Sequence, residues 1–345
     1  MMRPATRASS DSVDRPEPGT AEWLNQAPEA VMEPDLPIVD PHHHMWPSAS
    51  ERGYGLAELH ADVLAGHRVE QTVFIECQAA YRAGGPVELA SVGETEFVAG
   101  EAARDPHQLI RGIVAHADLR LRNLDDVLDA HEAAGQGLLR GIRDPLAHAR
   151  EPHESIVGDA PAGLYRDPAF RAGVARLGAR GLLYESWHYH YQNRELVELA
   201  RAVPSTTMVL DHFGTPLGVG PYARERDQIF GQWKTDMAEL ARCDNVVAKL
   251  GGLAMPCTGF GWHTAERPPT SDELVAAQAR YYLHTIDCFG PDRCMFESNF
   301  PVDQQAVGYR TLWNAFKMMT TAFSPSERAT MFSGTARRVY RLTAP

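Results

Sequence analysis

Eight short apolar segments recur along this chain, each followed by a stretch with helical features. The segments are rich in Leu, Ile and Val and mostly lack polar–apolar alternation, which is typical of parallel strands buried on both faces. They lie at 36–40, 71–77, 109–118, 138–144, 181–187, 206–212, 245–251 and 293–298. Eight strands that alternate with helices predict an α/β fold of the (β/α)8 barrel type.

The segments between the strands carry helix signals. Apolar residues recur at helical spacing in 123–134 and 194–204, and 167–181 opens with Asp-Pro and closes with Gly. The stretches 308–319 and 324–342 supply closing helices. A doubly wound sheet is the competing architecture, but the first strand is followed by "DPHHHMW" rather than a glycine-rich phosphate loop. The barrel is therefore favoured.

The chain length suits two average domains or one α/β barrel, and we predict a single catalytic barrel over 36–345. Residues 1–35 are rich in Pro, Ser, Arg and acidic side chains and predict a flexible or surface-draped arm. The arm lacks the apolar region of a signal peptide. Trp23 and Leu24 indicate packing of this arm on the barrel or on a partner subunit.

Composition excludes several classes of partner. The formal net charge is −12 and no long basic run occurs, which argues against nucleic acid or an anionic membrane surface. No apolar run reaches the length of a membrane span. The five cysteines are scattered and form no CxxC motif, which excludes a zinc ribbon or redox motif and predicts a reducing, cytoplasmic location.

Histidines follow three of the predicted strands, at the barrel edge where α/β barrels build their active sites. Side chains alternate along an extended segment, so His42 and His44 share one side while His43 points elsewhere. Two imidazoles at this spacing can hold one cation. A histidine-rich loop without metal is the alternative. His188 and His190 repeat the same spacing after the fifth strand.

Further polar residues end other strands. Glu76, at the end of the second strand, is a metal ligand or pairs with an arginine such as Arg82, because a buried unpaired carboxylate is costly. His212 follows the sixth strand. Arg143 ends the fourth strand and either clamps a substrate carboxylate or pairs with Asp144.

Lys249 lies within the seventh strand and is predicted to form a structural ion pair. The two glycines that follow it indicate a close approach of the backbone to another group. Aromatic side chains near the predicted mouth, Trp187, Phe260 and Trp262, favour an apolar or bulky small-molecule substrate. Asn299 ends the eighth strand.

Several of these blocks resemble the amidohydrolase superfamily, and in particular its amidohydrolase-related branch of lactonases and decarboxylases. They are "DPHHHMW", "MVLDHFGTPLG" and "FGPDRCMFESNFPVD", and the resemblance spans 36–342. It implies a distorted (β/α)8 barrel with metal ligands at His42, His44 and His212. Members normally end the eighth strand with an aspartate that ligates metal and acts as base, whereas this chain has Asn299.

A neutral amide cannot accept a proton from an attacking water, so Asn299 puts ordinary hydrolysis in doubt. Asp303 and Glu297 are candidate substitutes, although neither matches the position. The chain also has His188 where relatives carry an apolar residue, and Asp144 where many carry histidine.

The candidate ligands are therefore numerous: His42, His44, Glu76, His188, His190 and His212, with Asn299 as a neutral oxygen donor. This set exceeds the needs of one tetrahedral catalytic zinc. It predicts two divalent ions, and mixed imidazole and carboxylate ligation suits iron or an iron–manganese pair.

Three functional hypotheses follow, of which the first is favoured over the second, and both over the third. The first is a dinuclear non-heme iron monooxygenase, similar to a few members of the branch, that uses O2 to hydroxylate a small-molecule carboxylic acid or its thioester. Arg143 would anchor the acid, and Asn299 and Asp303 would complete the catalytic group. The second is a zinc-assisted hydrolase of a lactone or amide. The third is a non-catalytic barrel that supports a catalytic paralogue. A homo-oligomer or a paired paralogous subunit is the expected assembly.

Overall fold

The computed structural model describes residues 16–50, 53–151 and 153–343. Eight parallel strands form one sheet whose spatial order follows the chain from first to last. They are β1 (Ile38–His43), β2 (Val69–Ile75), β3 (Ile110–Ala115), β4 (Leu139–Arg143), β5 (Leu183–Ser186), β6 (Met208–Leu210), β7 (Val246–Leu250) and β8 (Cys294–Phe296). Each strand overlaps one predicted segment, so the predicted number and order of strands are confirmed.

The sheet closes into a barrel where the chain beyond β8 meets β1. His43 bridges to Phe300 in parallel register, and His44 N donates to the Phe300 carbonyl at 2.8 Å. Asn299 N donates to the His42 carbonyl at 3.0 Å. The (β/α)8 barrel of the amidohydrolase type is confirmed, and its closure places the end of β8 against the histidines of β1.

Helices follow the strands around the outside of the barrel. They are α1 (Ala21–Leu24), α2 (Leu56–Val63), α3 (Val92–Arg104), α4 (Leu124–Gly135), α5 (Pro168–Ala179), α6 (Asn193–Ala202), α7 (Arg226–Ala241), α8 (Ser271–Phe289), α9 (Tyr309–Met319), α10 (Pro325–Ala329) and α11 (Thr335–Val339). The Asp-Pro start of α5 acts as expected, because the Asp167 side chain accepts from Ala169 N at 2.7 Å and caps the helix.

The barrel interior is layered. Its lower part is a separate apolar cluster of inward-facing strand residues that packs against the C-terminal segment: Val39, Val73, Ile75, Val114, Leu183, Val209, Val247 and Met295. Tyr340, just after α11, belongs to this cluster and donates its hydroxyl proton to Glu185. The C-terminal segment therefore plugs the lower end, and the polar groups lie above the plug.

The N-terminal arm packs on the barrel over residues 16–35, while residues 1–15 of the predicted arm lie outside the described residues. Trp23 on α1 is fully buried, and its Nε1 donates to the Ala265 carbonyl at 3.4 Å. Lys317 Nζ donates to the Met32 carbonyl at 2.9 Å. Within the described part of the chain, no helix is both long and apolar enough to span a membrane.

Candidate active site

His42 and His44 face each other at the end of β1. Their Nε2 atoms are 3.2 Å apart. His44 Nδ1 lies 2.8 Å from the Ile75 carbonyl oxygen. A carbonyl only accepts, so Nδ1 carries the proton and Nε2 presents a lone pair. Burial lowers the pKa of both imidazoles well below the usual value, so both rings are neutral.

The other ring nitrogen of His42 lies between a carboxylate and an ammonium group. Nδ1 is 2.6 Å from Glu297 Oε2 and 3.1 Å from Lys249 Nζ. When Nδ1 is protonated and faces Glu297, Nε2 of His42 is bare and points at the bare Nε2 of His44. A tetrahedral ion with Zn–N bonds of 2.0–2.1 Å separates two ligand nitrogens by about 3.3 Å. The pair therefore fits a divalent cation, with Glu297 as the outer partner of His42.

Glu297 also holds the histidine that follows β6. Its Oε1 lies 2.7 Å from His212 Nδ1. Burial acts to lower the pKa of His212, but the Glu297 carboxylate raises it above the usual value. Glycine is required beside both groups: a Cβ at Gly252, which has a φ of +74°, would overlap the His212 ring, and one at Gly251 would overlap the Glu297 side chain. The predicted close approach at these two glycines is confirmed.

Lys249 and Asp211 form a buried ionic layer beneath the histidines. Lys249 Nζ lies 2.6 Å from Glu185 Oε2 and 3.3 Å from Asp211 Oδ1, so the predicted ion pair is confirmed. His42, Asp211 and His212 each place one possible ligand atom within 4.8 Å of the others. Asp211 Oδ1 and Glu297 Oε2 are buried and lie 3.8 Å and 2.6 Å from His42 Nδ1. Buried imidazole nitrogens and carboxylate oxygens this close together are a donor set that suits a divalent cation.

Arg143 pairs with Glu76 and Asp211. Its Nε donates to Glu76 Oε1 at 2.8 Å, Nη1 donates to Asp211 Oδ2 at 3.3 Å, and Nη2 donates to the Glu76 carbonyl. The partners named in the sequence analysis, Arg82 for Glu76 and Asp144 for Arg143, are wrong. Arg82 instead pairs with a glutamate on α3, and Asp144 accepts from the backbone of the loop after β3.

Asn299 is held by Asp303. Its Nδ2 donates to Asp303 Oδ1 at 2.9 Å, which leaves the amide oxygen without a partner among the described residues. Burial raises the pKa of Asp303 to about 7. Asn299 has a φ of 56°, and His212 has a φ of 51°. Left-handed backbone at non-glycine residues is strained and persists where the surrounding structure holds it, often at functional sites.

The second histidine pair makes different contacts. His188 Nδ1 lies 2.7 Å from the Tyr165 hydroxyl and 2.8 Å from Ser186 Oγ, and its Nε2 lies 2.9 Å from Asn193 Oδ1. His190 Nδ1 accepts from the backbone N of Leu217 at 3.2 Å. Both ring nitrogens of His188 therefore have protein partners. His190 lies against the loop after β6.

A cavity of about 280 Å³ opens at this edge of the barrel. Strand-end residues line it: His44, Glu76, Arg143, His212 and Asn299. Residues of the loops above also line it: Trp46, Cys77, Gln78, Pro145, Val157, Trp187, Met255 and Val302. Of the described residues, neither member of the second histidine pair belongs to this lining, and neither Phe260 nor Trp262 does.

A closed parallel barrel with buried imidazoles and carboxylates at its C-terminal edge defines a metal-dependent enzyme of the amidohydrolase fold. The sequence pattern of the amidohydrolase family matches residues 39–342, so this chain belongs to that family.

Similarity to known proteins covers most of the chain. The uncharacterized protein y4mH from Sinorhizobium fredii is 32% identical over 89% of this chain and 99% of its own length. An L-fucono-1,5-lactonase from Burkholderia multivorans is 28% identical, covering 89% of this chain and 97% of that protein. The crystal structure of an amidohydrolase from Burkholderia multivorans with bound zinc has a TM-score of 0.69 and 26% identity, over 89% of this chain and 99% of the other.

These relatives support a metal-dependent enzyme and favour the hydrolytic hypothesis over the oxygen-dependent one. They give no support to iron or O2. Sequence reasoning left Asp211 out of the candidate set and named Glu297 only as a substitute base. The signal available was position: Asp211 precedes His212 at the end of β6, and Glu297 follows β8 directly.

Proposed function

We propose that this protein is a lactone hydrolase that uses one divalent ion bound by His42 and His44. The observation that carries the proposal is the pair of facing Nε2 atoms at 3.2 Å, with His44 lining a cavity. Similarity to an L-fucono-1,5-lactonase supports a cyclic ester as substrate. The zinc-bound relative supports zinc as the ion.

His42 and His44 would hold the ion, with the Asn299 amide oxygen as a neutral donor nearby. A divalent ion supplies an acidified water and polarises an ester carbonyl. We propose one ion in place of the two predicted from the histidine count. Hydrogen bonds engage both ring nitrogens of His188, and Glu76 pairs with Arg143, so these two residues have structural partners already.

His212 is the residue best placed to accept the proton that Asn299 cannot accept. Its ring lines the cavity, and Glu297 accepts the Nδ1 proton at 2.7 Å. A carboxylate in this position fixes the tautomer and leaves Nε2 to take a proton, as in other histidine–carboxylate pairs. This role as base replaces the metal-ligand role that the sequence predicted for His212. Substitution of a base should leave the metal content unchanged, whereas substitution of a ligand should lower it.

Asp303 acts as a positioning residue in this proposal. A carboxylate that accepts from Asn299 Nδ2 turns the amide oxygen away from itself. Asn299 lines the cavity, so its amide oxygen would be available to the ion or to the substrate. Asp303 thereby fixes which end of the amide faces the reaction.

Replacement of His212 by Gln tests the proposal. In zinc-loaded protein we expect the metal content to stay at the wild-type level while kcat for lactone hydrolysis falls by about 10²–10⁴-fold, the usual contribution of a general base. Proton release reports hydrolysis, and elemental analysis reports zinc. His107→Gln, an exposed position before β3, is the matched control and should change neither quantity.

Two outcomes would contradict the proposal. One is that zinc-loaded protein hydrolyses none of a panel of five- and six-membered lactones. The other is that iron-loaded protein consumes O2 in the presence of a carboxylic acid. Loss of zinc in His212→Gln would reassign His212 as a ligand and leave the base to another residue.

A further inference from the structure

The cavity has two zones of different chemistry. Its polar groups sit at or directly after strand ends, whereas the loops above contribute mainly apolar side chains: Trp46, Pro145, Val157, Trp187, Met255 and Val302. A substrate's ester must reach the strand-end zone, where the histidines are. The rest of the molecule then lies against the apolar loops.

Most hydrogen-bond donors of the polar zone are already engaged within the protein, whereas acceptors such as the Asn299 amide oxygen are left open. Arg143 donates from three nitrogens to Glu76 and Asp211. Asn299 Nδ2 donates to Asp303, and His44 Nδ1 lies at the Ile75 carbonyl. The oxygens of several hydroxyl groups buried here would lose hydrogen bonds from water that few protein donors replace, which costs binding free energy.

Two indole rings come from loops on opposite sides of the barrel. Trp46 follows β1 and Trp187 follows β5, and strands four apart in an eight-stranded barrel face each other. The Trp46 ring centroid is 5.8 Å from that of His44. The indoles therefore border the cavity from two sides, which favours a flat apolar group next to the reacting ester.

The wall around Trp187 is fixed by one tyrosine. The ring of Tyr189 packs edge-on against Trp187 with centroids 6.0 Å apart. The Tyr189 hydroxyl also donates to the Val157 carbonyl, in the loop after β4. Trp187 and Val157 both line the cavity. Tyr189 therefore connects two apolar segments of the cavity wall and limits how far they can move apart.

We infer that the substrate is a small lactone bearing a flat apolar group, in contrast to a polyhydroxylated sugar lactone. This inference rests on the proposed lactone hydrolysis and specifies its substrate class. A volume of about 280 Å³ accommodates one or two rings and little more. Trp187 is the specificity-determining residue, because its indole forms the apolar part of the cavity wall next to the strand-end zone.

The test compares two six-membered lactones, 5-phenyl-δ-valerolactone and D-glucono-1,5-lactone, each rate divided by its own uncatalysed rate. With zinc-loaded protein we expect kcat/KM to be at least about tenfold higher for the phenyl lactone, the size of effect that apolar contacts supply. Trp187→Ala should reduce that preference by about tenfold, mostly through KM, and Trp187→Phe should retain most of it.

Trp262→Ala is the matched control, since Trp262 stacks on Phe260 outside the cavity lining. It should leave the preference unchanged. Faster normalised turnover of the sugar lactone would overturn the inference while leaving the proposed hydrolysis intact. Turnover of neither lactone, nor of any other lactone tested, would overturn the proposed function itself. An unchanged preference in Trp187→Ala would remove Trp187 as the determinant.

Discussion

Two histidine pairs of identical spacing follow β1 and β5, and the structure uses them differently. His42 and His44 turn their Nε2 atoms toward each other at 3.2 Å, and His44 lines the cavity. His188 instead bonds through both ring nitrogens to Tyr165, Ser186 and Asn193. His-x-His spacing therefore favours a ligand pair only where one nitrogen of each ring is left free of other protein partners.

The backbone explains much of the difference. β1 runs through His43, so alternation places His42 and His44 on one side of an extended segment. β5 ends at Ser186, and the chain then turns into a short helix at His190–Gln192. The second pair therefore does not share a strand face.

Loss of one histidine of the β1 pair should have the largest effect on zinc binding and on hydrolysis. In His44→Ala, one of the two facing lone pairs is gone, so we expect bound zinc to fall close to zero and hydrolysis to drop to background. Elemental analysis after extensive dialysis and proton-release assays measure the two quantities. His107→Ala serves as the surface control. Wild-type zinc content in His44→Ala would contradict the assignment of this pair.

Glu297→Gln should have an intermediate effect. The amide keeps the size of the side chain but weakens the acceptor for Nδ1 of His42 and His212. Outer partners of this kind typically contribute about 10–100-fold in metal affinity or activity. Competition with a chelator gives the zinc affinity, and the exposed Glu266→Gln is the matched control. Unaltered affinity and unaltered kcat together would show that Glu297 supports neither histidine.

His188→Ala should have the smallest effect on metal and a clear effect on stability. We expect wild-type zinc content, with a free energy of unfolding lower by about 1–3 kcal/mol, because buried polar groups lose a partner. Asn193 Oδ1 is left without its partner, whereas the Tyr165 hydroxyl keeps its hydrogen bond to Ser186 Oγ. Urea denaturation measures the change. Loss of zinc from a folded His188→Ala protein would instead show that both histidine pairs contribute to metal binding.

Much of the barrel was predictable because each strand and cap depends on local sequence. The apolar segments marked all eight strands, and Asp-Pro marked the start of α5. Alternation also predicted that His43 turns away: its ring packs on Phe74, and burial lowers its pKa to about 4. Resemblance to the family pointed to the strand-end histidines before any distance was known.

Pairings between distant residues were not predictable in the same way. Glu76 and Arg143 are 67 positions apart, and His212 and Glu297 are 85 apart. Local patterns carry no information about which of several buried charges will meet, so Arg82 and Asp144 were assigned partners that they do not have. The histidine count suggested two ions because it could not show that His188 is already satisfied.

By itself, the sequence determined the barrel, the edge that carries the site, and the pair on β1, because periodicity and strand alternation act over a few residues. Only the tertiary structure decided which polar atoms are left without a protein partner. The ability of a histidine to bind a metal depends on such unpartnered atoms. An imidazole with both nitrogens hydrogen-bonded has no lone pair to offer a metal, whatever its spacing in the sequence. Barrel closure sets this outcome by placing β8 beside β1 and Glu297 beside two histidines.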